Sequence, residues 1–340
     1  MANHRSSHHA LVAATVAVGT VMAGATPVVR AGSSTVPTDP VATTASAPPL
    51  QVSGRNWIEL SPVLVAAESF ATQPVVVNGG GVDDIASGDA DVATNAETQL
   101  LQESVTNPDL RIIMTVAESF YRLVARGSAG IETLADLEGK RVMVPPDTSA
   151  NYFVVAMLAT VGLTEDDVEI VGMPEGTAYL SGMDQMSTAL ARGDVDAIAI
   201  FEPEPADAID ALGDDAVVFQ DPDVYREAFN LHASATALAD PEQRAAIVEF
   251  VRAVIAASDA LSTDPEQYWP FISNTTGFTV AEIEASWPEM EFPAQIVPDM
   301  LDVLEVEELW VAANEDREPR PRAELAELID PSVVEEALAG

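Results

Sequence analysis

The strongest constraint on the fold is an internal echo. Residues 86–99 read ASGDADVATNAETQ and residues 191–204 read ARGDVDAIAIFEPE. Laid over each other, Gly88 falls on Gly193, Asp89 on Asp194, Asp91 on Asp196 and Glu97 on Glu202. A glycine suits the left-handed residue that closes a helix. The small apolar run behind the second aspartate reads as a strand. Each copy is therefore a corner where a helix ends and a strand begins, with a glutamate just past the strand's carboxyl end.

The chain around the echo alternates strand and helix, which indicates an α/β architecture. In the first unit WIEL (57–60) reads as a short strand, 62–71 as a helix, PVVV from Pro74 as a strand and DVA from Asp91 as the third. A helix over 97–104, the apolar strand LRIIMTVA and the extended stretch SFYRLVAR follow, then a helix around 131–137. The second unit runs through the strand RVMV, a helix from Ser149 to its stop at Gly162, the strand VEIVG, a helix over 179–192 and the strand DAIAIF. After VVFQ, the stretch YREAFNLHASATALA reads as an extended return, followed by a helix over 241–260 and a helical, acidic C-terminal part.

A βαβαβ pattern written twice, with two connections between the copies, predicts two lobes, a hinge and a cleft. The expected division is lobe 1 over 51–125 plus 230–340 and lobe 2 over 126–229, with the hinge near 125–130 and 221–233. Ligands of open α/β sheets bind beyond the carboxyl ends of the strands. Those ends carry Ser61, Asn78, Asn95, Glu97, Glu118, Tyr121, Thr148, Ser149, Tyr152 and Glu202.

Composition narrows the function. The 340 residues include 55 acidic against 15 basic side chains, a net charge of −40. Nucleic acid and anionic membranes would be repelled by such a charge. Disorder, the common reading of acidity, conflicts with a 48% hydrophobic content. The expectation is a halophile's surface, whose self-repulsion salt screens. There is no cysteine, which removes disulfides, thiolate catalysis and Cys-type zinc sites. Residues 1–31 read as a cleaved secretory signal peptide, from the apolar run ALVAATVAVGTVMAGA and the small-residue cleavage options behind it. An uncleaved anchor is the alternative, because the run is only a few residues short of a span. Residues 32–50, rich in Ser, Thr, Pro and Ala, read as a disordered tether.

Three segments in register, GIETLADLEGKRVMVPPDTSANYFVVAML, GLTEDDVEIV and ALARGDVDAIAIFEPE, together with ASGDADVA, resemble the periplasmic solute-binding proteins of nitrate/sulfonate/taurine-type ABC importers. The resemblance runs over about 57–260. It implies the type II two-lobed binding-protein fold, hinge closure on a small-molecule ligand, a monomer in the periplasm and delivery to an ABC permease in the inner membrane, with no cofactor. It also implies ligand-lining positions at Ser61, Thr148, Ser149, Tyr152 and Glu202. Two departures stand out: the segment after the first strand is short, and the lipid-bearing cysteine of many relatives is missing.

The residues themselves suggest the ligand's chemistry. Thr148 and Ser149 open a helix whose free amides suit an anion, although a plain N-cap explains them equally. Glu97, Glu118 and Glu202 converging on one cleft would raise one another's pKa values, which an amine would relieve. A zwitterion such as taurine suits both. Tyr121, Tyr152 and Phe201 are candidates to stack on it, the latter two equally core. His232 reads as structural. The rival class is an enzyme on the same fold, since relatives include cysteine-dependent pyrimidine-precursor synthases, and a ligand sensor for a signalling partner is the third reading.

Overall fold

The computed structural model describes residues 48–173, 183 and 185–340. The signal peptide, most of the tether and part of the 179–192 helix lie outside the described residues.

Eleven strands form two sheets among these residues: β1 (Leu50–Ser53), β2 (Val75–Asn78), β3 (Val92–Asn95), β4 (Leu110–Ser119), β5 (Arg122–Arg126), β6 (Arg141–Met143), β7 (Glu169–Val171), β8 (Ala197–Ile200), β9 (Ala216–Phe219), β10 (Glu227–Ser234) and β11 (Met290–Glu291). The first sheet has the order β11-β4-β10-β3-β1-β2 and the second β7-β6-β8-β5-β9. Apart from the extra edge strand β11 of the first, the two match strand for strand. In the first, β2, β1 and β3 are parallel, and β10 runs antiparallel between β3 and β4. In the second, β7, β6 and β8 are parallel, and β5 runs antiparallel between β8 and β9. Each sheet thus receives one strand, β10 or β5, from a segment adjoining a crossing. The chain crosses at 120–121 and returns at 220–226. The crossings touch: the Tyr121 and Tyr225 rings meet edge-on with centroids 5.4 Å apart.

The echo is a structural device. Gly88 ends α2 (Asp83–Ser87) at φ 81°, and Gly193 ends α5 (Met186–Arg192) at φ 79°. That region of φ is where a glycine escapes the steric penalty of a side chain. The Asp91 N–H donates to Gln51 O at 2.9 Å, and its Oδ2 accepts from the Gln51 N–H at 2.8 Å. Asp196 does the same with Arg141, at 2.9 and 3.1 Å. Each aspartate clamps the strand about to become its parallel neighbour.

One expectation is corrected. The first strand is Leu50–Ser53, so Leu50 belongs to a sheet and not to a tether, and WIEL is a 3-10 turn (Ile58–Leu60) in which the Leu60 N–H donates to Trp57 O at 3.2 Å. Ser61 then starts α1 (Ser61–Val65). The stretch after the first strand is 54–70, which supplies a loop and a helix. The strand escaped notice because it is only four residues long and carries Gln51. The Asp91 clamp, remote in sequence, holds Gln51 in a central position.

The remaining helices used below are α3 (Glu97–Glu103), α4 (Ser149–Ala159), α6 (Glu204–Leu212), α7 (Pro241–Thr263), α8 (Met300–Asn314) and α9 (Ser332–Ala339). Asp240 caps α7, its Oδ1 accepting from the Glu242 and Gln243 N–H groups at 2.9 and 3.0 Å. The buried face of α7, with Ile247, Val251 and Val254, joins the main core. On α8, Met300, Leu304 and Val311 share a second core with Leu100 and Leu101 of α3. Burying a side chain of this kind contributes roughly 1.5–3 kcal/mol, which explains why the C-terminal helices stay on the first sheet's side.

Candidate functional site

The carboxyl ends of strands from both sheets meet at a cavity of ≈ 210 Å³. Arg55, Trp57 and Glu59 reach it from the segment after β1, Asn95 and Gln99 from the β3–α3 corner, and Glu227 and Phe229 from β10. The second sheet contributes Thr148 and Ser149 at the start of α4, and Phe201 behind β8. Trp57 and Phe201 meet edge-on across it, with centroids 5.1 Å apart.

On one wall the start of α4 offers a positive helix end. The Thr148 hydroxyl donates to Pro145 O at 2.8 Å and so does not cap the helix. The Ser149 hydroxyl lies 3.1 Å from the Tyr121 hydroxyl and donates to Glu227 Oε1 at 3.5 Å.

The other wall is acidic and buried. Glu59 is 2% exposed; its Oε1 accepts from Ser119 Oγ at 3.2 Å, whereas Oε2 has no partner among the described residues. Burial pushes Glu59 up to about 7, against the pull of its backbone and Ser119 hydrogen bonds and with the Glu202 charge adding. Burial likewise lifts Glu227 well above the carboxylate range, reinforced by the charges of Glu97 and Glu59. Beneath them burial and Glu227 raise Tyr121.

Of the residues expected at the cleft, Asn95, Thr148, Ser149 and Phe201 line this cavity. Ser61 is buried inside its helix start, donating to Ile58 O at 2.5 Å. Asn78 is exposed at the end of β2 and donates to Gln51 Oε1 at 3.3 Å. Tyr121 lies buried behind Ser149, packed on Phe153, Phe201 and Tyr225. Tyr152 packs on Tyr225 and Trp310 at 5.8 and 5.6 Å and lines a separate depression with Glu307.

The three glutamates expected to converge on the cleft do not line this cavity. Glu97 accepts from the Tyr225 hydroxyl at 2.9 Å and the Ala228 N–H at 3.0 Å, and burial raises it beside Glu307, with which it shares a hydrogen bond. Glu118 pairs with Arg226, which also binds Asp299 at 2.7 Å. Glu202 takes Arg122 at 2.5 and 2.7 Å, yet is pushed up to about 7 because burial outweighs the guanidinium. The carboxyls that do face the cavity are Glu59 and Glu227, along with Arg55, Trp57, Gln99 and Phe229, none of them singled out from sequence. The available signal was a glutamate inside an apolar run, in WIEL and in REAF. His232 is buried in β10, Nδ1 3.2 Å from Ala93 O, and burial holds it down at about 4. Among the described residues, no group of three or more His, Asp and Glu side chains is arranged to hold a metal ion.

A family model described as NMT1/THI5 like matches residues 76–268. Solved structures agree on the fold. The alkanesulfonate-binding protein SsuA from Xanthomonas axonopodis pv. citri bound to MOPS is similar at 16% identity and TM-score 0.63, over 84% of this chain and 99% of that one. The periplasmic aliphatic sulphonate binding protein SsuA from Escherichia coli is similar at 15% identity and TM-score 0.67, over 85% and 99%. The desulfurization enzyme DszB is similar at 16% identity and TM-score 0.58, also over 85% and 99%. The architecture is the periplasmic-binding-protein fold, as the topology predicts.

Proposed function

The chain belongs to the NMT1/THI5-like family, and on that premise we propose that it is the extracytoplasmic solute-binding component of an ABC importer. The observation that carries this reading is the cavity built from strand ends of both sheets, with a helix start on one wall and buried carboxyls on the other. At ≈ 210 Å³ it is smaller than the roughly 300–1,000 Å³ of sites for drug-sized ligands, which suits a small polar solute. An amine-bearing or zwitterionic, taurine-like molecule fits best, its anion toward Arg55 and the start of α4.

In this reading lobe 1 comprises residues 50–119 and 227–340 and lobe 2 residues 122–219, and the crossings at 120–121 and 220–226 are the hinge. Closure brings Trp57 and Asn95 of one lobe against Phe201 and Ser149 of the other. The protein acts as a monomer in the periplasm, exported by the leader at 1–31, and hands its ligand to a membrane permease. The −40 charge argues against nucleic acid as a partner. DszB shares the fold, and the solved relatives include a cysteine-to-serine mutant of that enzyme. This chain has no cysteine, which favours a binder over that kind of enzyme.

The test is a thermal-shift panel of amines, sulfonates and pyrimidines, with small-angle scattering on any hit. A ligand at 100 times its Kd adds about 2.7 kcal/mol of stability, so a hit raises the melting temperature and shrinks the radius of gyration. A hit without compaction sinks hinge closure. Silence across the panel sinks the solute class.

A further inference from the structure

The acidic wall of the cavity goes beyond accommodating a polar solute. Glu59 and Glu227 come from different elements, a turn after β1 and the first residue of β10, yet both carboxyls are buried at the same cavity. Glu59 Oε2 is left without a hydrogen-bond partner among the described residues, and a buried acceptor in that state costs free energy until a donor arrives. Trp57, Phe201 and Phe229 line the same space, and aromatic faces attract cations. Two buried carboxyls among aromatic rings are a recognition set for an organic ammonium group.

We propose that Glu59 and Glu227 select the cationic end of the ligand: a protonated amine binds between them and the aromatic wall, displacing the proton that the two carboxyls hold. This rests on the solute-binding reading above. The exchange is balanced, one ammonium entering and one proton leaving for solvent, so the net charge of the buried site is unchanged.

The surroundings support the exchange. Glu59 is faced by Ser119 of β4, by Glu202 behind β8 and by Tyr121 of the first crossing. Glu227 is faced by Glu97 of α3, by Glu59, by Tyr121 and by Ser149 of α4. Tyr225 and Glu307 extend the row behind them. The Arg122 guanidinium is engaged by Glu202 and Glu289 and that of Arg226 by Glu118 and Asp299. Burial raises both carboxyls, Glu59 to about 7 and Glu227 well above the usual carboxylate range, so protonated forms persist toward neutral pH. An ammonium group against the pair favours the ionised forms and expels a proton. Arg55 lines the same cavity and, with the α4 start, serves the ligand's opposite end.

Three probes test this by calorimetry on the purified protein at pH 7, in buffers of different ionisation enthalpy: taurine, ethanesulfonate as the same anion without the amine, and propylammonium as an amine without the anion. Taurine is expected to bind with release of about one proton and to weaken roughly tenfold per pH unit below pH 6. Glu59→Gln and Glu227→Gln each lose the proton release and at least tenfold in taurine affinity, and melting curves verify that they fold. Ethanesulfonate is expected to bind more weakly than taurine, without proton release. Ethanesulfonate binding as tightly as taurine overturns the inference and leaves the solute-binding reading standing, as does taurine affinity unchanged in both variants. Failure of taurine and propylammonium up to tens of millimolar also overturns it, and failure of all three takes the sulfonate-type reading with it.

Discussion

The corner at Gly88 and the corner at Gly193 share a motif and a backbone task, but they differ in electrostatics. In both, a left-handed glycine closes a helix and an aspartate clamps the neighbouring strand. At the second corner arginines take over the acids: Arg141 and Arg126 hold Asp196 at 2.8 and 3.1 Å, and Arg122 holds Glu202. At the first, Asp91 receives the Gln51 N–H, and Glu97 receives a tyrosine hydroxyl and a backbone N–H while sharing a hydrogen bond with another acid. A repeated motif fixes what the backbone does, whereas the neighbours decide whether a glutamate is an ion or a buried acid.

The largest test removes the partner at each glutamate. Arg122→Ala strands Glu202, whose side chain is 1% exposed, and is expected to cost about 3 kcal/mol in urea unfolding at pH 8. The cost should shrink toward pH 5, because Glu202 then takes a proton instead of remaining an unpaired buried charge. Tyr225→Phe removes one of the hydrogen bonds to Glu97 and is expected to cost about 1 kcal/mol. Equal losses would erase the contrast between the corners.

The glycines come next. Neither tolerates a side chain at its φ, and the left-handed region costs about 1–2 kcal/mol for a residue with a Cβ. A Cβ on Gly88 meets open space, whereas on Gly193 it comes within 3.1 Å of the Arg126 guanidinium. Gly88→Ala is therefore expected to cost about 1 kcal/mol and Gly193→Ala about 2, the excess arising from the disturbed Arg126–Asp196 pair. A double variant with Arg126→Ala should remove the excess, and its persistence would locate the cost in the backbone alone.

The sequence revealed the parts of this comparison that depend on local order. Glycine, aspartate and an apolar run are adjacent in the chain, so the helix-to-strand corners and the duplicated sheet topology follow from spacing. Arg122 meeting Glu202 spans 80 positions and Tyr225 meeting Glu97 spans 128, and no local pattern encodes such pairs. For the same reason Asn95, Thr148 and Ser149, which sit at strand ends, were legible as cavity residues. Glu59 and Glu227 were not, because a glutamate within a strand-like run ordinarily marks a solvent face. Leu50–Ser53 was missed as a strand because its central place depends on partners 25 and 40 residues away, Val75 and Asp91.

The Glu97–Glu307 pair sharpens the difference further. Burial raises both acids, and for a carboxyl whose folded pKa is raised the stability contribution is present below about 4.5 and is lost as pH rises through the folded value. Glu307→Gln keeps a donor for Glu97 without an ionisable group. It is expected to raise stability at pH 8, where the wild-type pair is penalised for ionising, and to change little at pH 4, where both acids are protonated in the folded and unfolded states. A gain of the same size at pH 4 and pH 8 would show that packing, not ionisation, governs the site.

The smallest effect belongs to Asp196, which has the opposite sign. Its hydrogen bonds to Arg141 lower it to about 2, so its contribution is present above pH 3.8 and is lost as pH falls through 2. Arg141 is 36% exposed, and solvent limits such a pair to about 1 kcal/mol or less. Asp196→Asn should flatten the acid limb between pH 4 and 2 in dilute buffer, read by thermal melts. In multimolar salt two electrostatic terms move apart. Screening weakens the local attraction, so wild type and Asp196→Asn converge, while it also relieves the repulsion of a chain at net −40, so both melt at higher temperature. A melting temperature that falls with salt would mean that local pairs such as Asp196–Arg141 outweigh the global repulsion, and the halophile reading of the acidic surface would fail with it.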